Sequence, residues 1–162
     1  MTLGISFEEL LRYEEEQTER WREFFVKRPH LLQLEASPTD TVAGLLFHTF
    51  AAEYRSAQRL LDEPMTANAD FKHSNIDELF AIATESRRML RQYLSAGTPQ
   101  SIDEPRTFPS LTLGDFKATP KKLITHALVH SIRHWAQVAR ILRENGQRAD
   151  FSHDLLFAKG IS

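Results

Sequence analysis

Residues 119–146, TPKKLITHALVHSIRHWAQVARILRENG, read as one long helix and decide the fold. Thr119 offers an N-cap with Pro120 at the first helical position, where a missing N–H does no harm. The helix continues to Asn145, and Gly146 is its stop. Inside it His126, His130 and His134 follow at four-residue intervals. Neighbours in that series are about 40° apart around the axis and rise about 6 Å, so each adjacent pair shares a face. An i, i+4 pair is the spacing by which one helix offers two imidazoles to one metal ion. Leu123, Ala127, Ile132, Trp135 and Val138 flank the series, which weakens the plainer reading of a solvated row of histidines. His126 and His134 stand about 12 Å apart along the axis, too far to converge on one ion through bonds of about 2.0–2.1 Å. The pair is therefore His126 with His130 or His130 with His134, and the spacing leaves both open.

Outward from this helix, GLLFHTFAAEY (residues 44–54) places His48 among apolar residues in a second helix. That helix starts after SPTD, with Thr39 or Asp40 as cap, and runs to about Leu61. Val42, Leu45, Leu46, Phe50, Tyr54, Ala57, Leu60 and Leu61 form its buried face. A lone histidine in such a setting is most often a satisfied core residue. Burying an unpaired imidazole is costly, however, and a metal shared with the histidine pair would be its partner. Three neutral imidazoles leave a fourth position for water or substrate, as in catalytic zinc sites. Glu53 and Gln137 are candidates to orient the ligands from behind. Glu53, five residues from His48, is rotated off its face, and both read almost as well as ordinary helix-surface residues.

Two more helices complete the pattern. Phe7, Leu10, Leu11, Trp21, Phe24 and Phe25 form a stripe from about Ser6 to Lys27. Glu14, Gln17 and Thr18 interrupt it, and Glu14 falls on the apolar face, pointing toward a polar pocket. A third helix opens at Ser74, with Asp77 completing a capping box, and stops at Gly97 and Pro99. It turns Ile76, Leu79, Phe80, Ala83, Leu90, Tyr93 and Leu94 inward. Residues 96–118 form the longest break, in which TFPSLTLGDF suggests a short hairpin. The tail QRADFSHDLLFAKGIS reads as a short docked segment, and His30, His73 and His153 as exposed loop residues. The expectation is one all-α domain, residues 1–162, built as a four-helix bundle. The linker DEPMTANADFKH spans about 40 Å when extended, enough for the second and third helices to lie parallel.

Composition narrows the functions. The 162 residues suit a single core, and 20 basic against 22 acidic residues leave a net charge of -2. No global field draws the chain to nucleic acid or anionic lipid. With no cysteine, disulfides, thiolate ligands and a cysteine nucleophile are excluded. Any metal is held by histidine or carboxylate, which suits zinc, nickel, iron or manganese. The start of the chain lacks a basic region followed by an apolar one, and no stretch approaches the roughly 18 apolar residues of a membrane span. A soluble cytoplasmic protein is expected.

The segments LLFHTFAAEYRSAQRLL (residues 45–61) and HALVHSIRHWAQVARILRENG together resemble the DinB family of damage-inducible helical metalloproteins. His48 with Glu53, the three histidines four apart, Gln137 and Gly146 fall in the family's register. Trp135-Ala136 stands where the family commonly has arginine-glycine. The resemblance implies His48, His130 and His134 as metal ligands, with His126 an additional histidine one turn earlier. It also implies an up-down-down-up bundle, bound zinc or nickel, and a homodimer. The expected activity is that of a metal-dependent enzyme similar to thiol-dependent transferases, with a small-molecule substrate and a low-molecular-weight thiol. Its catalytic residues are left unassigned. The alternatives are a metal-dependent hydrolase, a non-catalytic metal or stress-ligand binding protein, and a structural bundle without metal.

Overall fold

The computed structural model describes residues 4–112, 114–159 and 161. Helix α1 covers Phe7–Lys27, and its first turn is closed by a capping box. Ser6 Oγ accepts from the Glu9 N–H at 3.2 Å, while the Glu9 carboxylate accepts from the Ser6 N–H at 2.7 Å. A 3-10 turn at Pro29–Gln33 leads to a small antiparallel ribbon, β1 (Glu35–Ser37) and β2 (Asp40–Thr41).

Helix α2 covers Val42–Leu60. Its cap is Thr41, whose Oγ1 accepts from the Gly44 N–H at 3.2 Å. Neither Thr39 nor Asp40 caps it; the Asp40 carboxylate accepts from the Thr41 N–H instead. The linker beyond α2 is tied down by Gln58, whose amide bonds Pro64 O, Thr66 Oγ1 and the Thr66 N–H.

Helix α3 covers Ile76–Ala96 and is capped by Asn75, one residue later than the sequence suggests. Asn75 Oδ1 accepts from the Glu78 N–H at 2.9 Å, and Ser74 donates to the Glu78 carboxylate. Asn75 thus takes the capping role from Ser74 and Asp77. The stretch expected to be a plain break contains a short helix, α4 (Pro99–Asp103), started by Thr98 and Ser101. The expected hairpin follows as β3 (Arg106–Phe108) paired with β4 (Phe116–Ala118). Leu113, between those strands, lies outside the described residues.

Helix α5 covers Pro120–Glu144, with Thr119 as its cap. Gly146 takes φ +71°. That left-handed residue lets the Gln147 N–H reach Leu142 O at 2.8 Å and its own N–H reach Arg143 O at 3.1 Å, which closes the helix end. The tail docks on α1: Tyr13 donates to His153 O at 2.8 Å, Arg28 pairs with Asp150, and Phe151 sits edge-on to Trp21. His153 is accordingly half-buried against Trp21, not a free loop residue.

The core has two parts. Trp21, Phe24, Phe25, Leu46, Phe50, Phe80, Trp135 and Val138 lie in one, and Leu11, Leu60, Met89, Leu90 and Leu128 in the other. Trp21 and Trp135 stack with centroids 5.5 Å apart, and Phe50 meets Phe80 at 5.2 Å. No helix among the described residues is long and apolar enough to cross a membrane.

Candidate metal centre

His48 stands near the middle of α2, and His130 and His134 occupy consecutive turns of α5. One ligand nitrogen from each lies within 4.8 Å of the other two. The His130 and His134 Nε2 atoms are 3.0 Å apart. Two nitrogens bound to one tetrahedral ion at about 2.0–2.1 Å sit about 3.3 Å apart, so the α5 pair is close to the separation a shared ion requires. The His48 ring closes the triangle, with its centroid 5.3 Å from each of the others.

The electrostatics favour neutral, ligand-ready imidazoles. His130 is pushed down to about 4, chiefly by burial and then by the neighbouring His134, His48 and His126. His134 is also lowered, again chiefly by burial, although its bond to Gln137 works against the shift. That bond joins His134 Nδ1 to Gln137 Oε1 at 2.5 Å. An amide oxygen only accepts, so Nδ1 carries the proton and Nε2 keeps its lone pair. Gln137 thereby turns Nε2, the nitrogen left free to take a ligand role, toward His130. Three imidazoles with no thiolate form a donor set suited to a borderline divalent ion such as zinc or nickel.

The other candidates fall differently. His126 is exposed, one turn before His130, with ring centroids 5.7 Å apart. Glu53 is fully buried and faces α3 and the middle of α5. Its Oε1 accepts from Ser86 Oγ at 2.9 Å and Arg87 Nε at 3.0 Å, and its Oε2 from Ser131 Oγ at 2.8 Å. Arg87 also donates to Thr18 Oγ1 and lies 3.6 Å from the Glu14 carboxylate. Trp135 Nε1 donates to that same Glu14 at 3.2 Å. The polar break in the α1 stripe is therefore one end of a buried network. Sequence reading noticed Glu14 and Glu53 but missed Ser86, Arg87 and Ser131, which look like ordinary helix residues until four helices meet.

A cleft of about 810 Å³ opens beside the histidines, with His48 and His126 in its lining. Arg55 and Arg59 line it too, seven and eleven residues beyond His48. That spacing on one helix face was a legible signal.

A mostly helical chain that brings three imidazoles from two helices to one point defines a class of helical proteins with a histidine-built candidate metal centre. The DinB family model matches residues 4–157, nearly the whole length, and the chain belongs to the DinB family. No curated protein matches the chain significantly.

Proposed function

We propose that the protein holds one divalent ion, zinc or nickel, through His48, His130 and His134 and acts as a metal-dependent enzyme on a small molecule. The observation that carries this reading is the convergence of three imidazoles within 4.8 Å. Three protein ligands are also the number typical of catalytic zinc sites. A divalent ion there supplies a Lewis acid that lowers the pKa of a water or thiol at neutral pH. His130 and His134 provide Nε2 lone pairs, and Gln137 fixes the tautomer of His134. The resemblance to thiol-dependent transferases favours a low-molecular-weight thiol as cosubstrate, in a cytoplasmic homodimer.

The same reading takes the four long helices as a bundle in up-down-down-up order. Paired contacts support it. Phe50 and Glu53 of α2 meet Phe80 and Arg87 of α3 in rising order, and Leu60 and Leu90 beyond them share one part of the core. Leu11, Trp21 and Phe24 of α1 rise with Leu128, Trp135 and Val138 of α5. Arg22 with Asp77 and Glu15 with Arg91 run oppositely along α1 and α3.

The test is elemental analysis of untagged protein, followed by turnover of a chromogenic electrophile with a panel of bacterial thiols. About one ion per chain and a rate that vanishes on chelation are expected. Metal-free protein that loses no melting temperature with chelator would overturn the reading. Bound metal without thiol-dependent turnover would favour hydrolysis or simple binding.

A further inference from the structure

From His48 the same face of α2 carries Ala52, Arg55, Ser56 and Arg59, and the cleft is closed on the far side by β4 and the first turn of α5. Its volume is in the range of small-molecule sites, about 300–1,000 Å³. Among the described residues four cationic side chains line it, Arg55, Arg59, Lys117 and Lys122, and no aspartate or glutamate does.

The two arginines are built in. Arg55 Nε donates to Thr66 O at 2.8 Å, and an Nη of Arg55 to Asn68 Oδ1. Arg59 Nε donates to Pro109 O at 2.6 Å. These neutral acceptors hold the guanidiniums in place without cancelling their charge. Eight described arginines are at least partly buried: Arg20, Arg22, Arg28, Arg55, Arg59, Arg87, Arg91 and Arg106. Six have a carboxylate within 4.0 Å, and Arg55 and Arg59 do not. Burial works against both charges, and Arg55 adds its repulsion to Arg59. The ring faces of Phe71 and Phe116 support them, but two adjacent, partly desolvated cations without a counter-charge still favour an anion beside them. Guanidinium forks suit carboxylate and phosphate oxygens.

We propose that this cleft binds the anionic end, a carboxylate or a phosphate, of a small molecule whose other end reaches His48. At 1.5 Å per residue, Arg55 and Arg59 lie about 10 and about 16 Å along α2 from His48, which sets the length of the molecule. That it is a substrate of the histidine centre rests on the metalloenzyme reading above. Capture of the anion does not.

The experiment is calorimetric titration of metal-free protein with pyrophosphate and with citrate at low salt. Saturable binding of at least one, near one per chain and weakening as salt rises, is expected. Arg59→Gln should weaken it by about 10- to 100-fold, the worth of a charged hydrogen bond, and Arg59→Lys should recover part of the loss. Arg59 also anchors Pro109, so the double variant Lys117→Glu, Lys122→Glu is the second arm. Both lysines are exposed, and that variant should keep its melting temperature while binding the anion several-fold less well. Preference for pyrophosphate assigns a phosphate, and preference for citrate a carboxylate. No saturable binding of either, or equal binding by Arg59→Gln and the lysine double variant, overturns the proposal. His130→Ala separates the two readings, because it should lose metal and keep the anion. Anion binding with no metal in the unaltered protein leaves the cleft standing and removes the enzyme, and metal without anion binding does the reverse.

Discussion

The Nε2 atoms of His130 and His134 stand 3.0 Å apart, one turn from each other on α5. At that distance both cannot present bare lone pairs to each other without a proton or a cation between them. His126, one turn earlier, is 5.7 Å from His130 by ring centroid and exposed. Replacing His48, His130 or His134 by alanine should therefore abolish stoichiometric metal binding, while His126→Ala keeps it. Elemental analysis of the four variants decides this. Loss in His126→Ala with retention in His134→Ala would shift the site by one turn.

Gln137 holds His134 through Nδ1 and touches no other histidine by hydrogen bond among the described residues. Gln137→Ala should leave the fold intact and weaken metal affinity by about 10- to 100-fold, as loss of an outer partner of a histidine ligand typically does. Competition with a chromogenic chelator measures it. Unchanged affinity would mean that the His134 ring is set by packing alone.

Among the described residues Arg87 is the one cation of the buried network, against the carboxyl groups of Glu53 and Glu14. Arg87→Gln leaves Glu53 charged and unpaired, a loss of about 3–5 kcal/mol, or roughly 10 °C in melting temperature for a chain of this length. Glu53→Gln combined with Arg87→Gln should cost less than the two single changes added. A double-mutant cycle by thermal unfolding checks this, and strict additivity would refute the coupling.

Glu14 gives the stability a pH dependence. Burial pushes its carboxyl up to about 8 from an ordinary 4.5; Arg87 draws it down, and the Glu53 charge raises it. Between those values the folded chain keeps a proton that the unfolded chain has released. The contribution is fully present below about 4.5 and is lost as pH rises through about 8. Glu14→Gln cannot ionise, so its melting temperature should fall less than the parent's between pH 6 and pH 9. Parallel curves would show that Glu14 is ionised throughout the range.

The histidine helix was legible because its signals are local. Four-residue spacing and the Thr119-Pro120 start and Gly146 stop belong to one segment. His48 was joined to the pair by the cost of an unpaired imidazole among apolar residues and by family register, since nothing in the spacing relates residue 48 to residue 130; the structure leaves its ring exposed. The caps of α2 and α3 slipped by one or two residues because several polar side chains compete at each helix start, and backbone direction chooses among them. The Glu53 network was illegible for a different reason. Its partners lie 33, 34 and 78 residues away, and periodicity reports the face of a residue's own helix, never what stands opposite.

The two walls of the cleft are attached to the fold in different ways. His48 and the arginines ride on α2 and the other histidines on α5, two helices locked into both halves of the core. The opposite wall is the β3–β4 hairpin and its connection, which carries Leu111 and Phe116. Lengthening or exchanging that connection would change which molecules fit while the imidazoles stay where they are. On the proposed function, reactivity and selectivity would thus occupy separable modules, so one scaffold could be retailored to new ligands by grafting a loop.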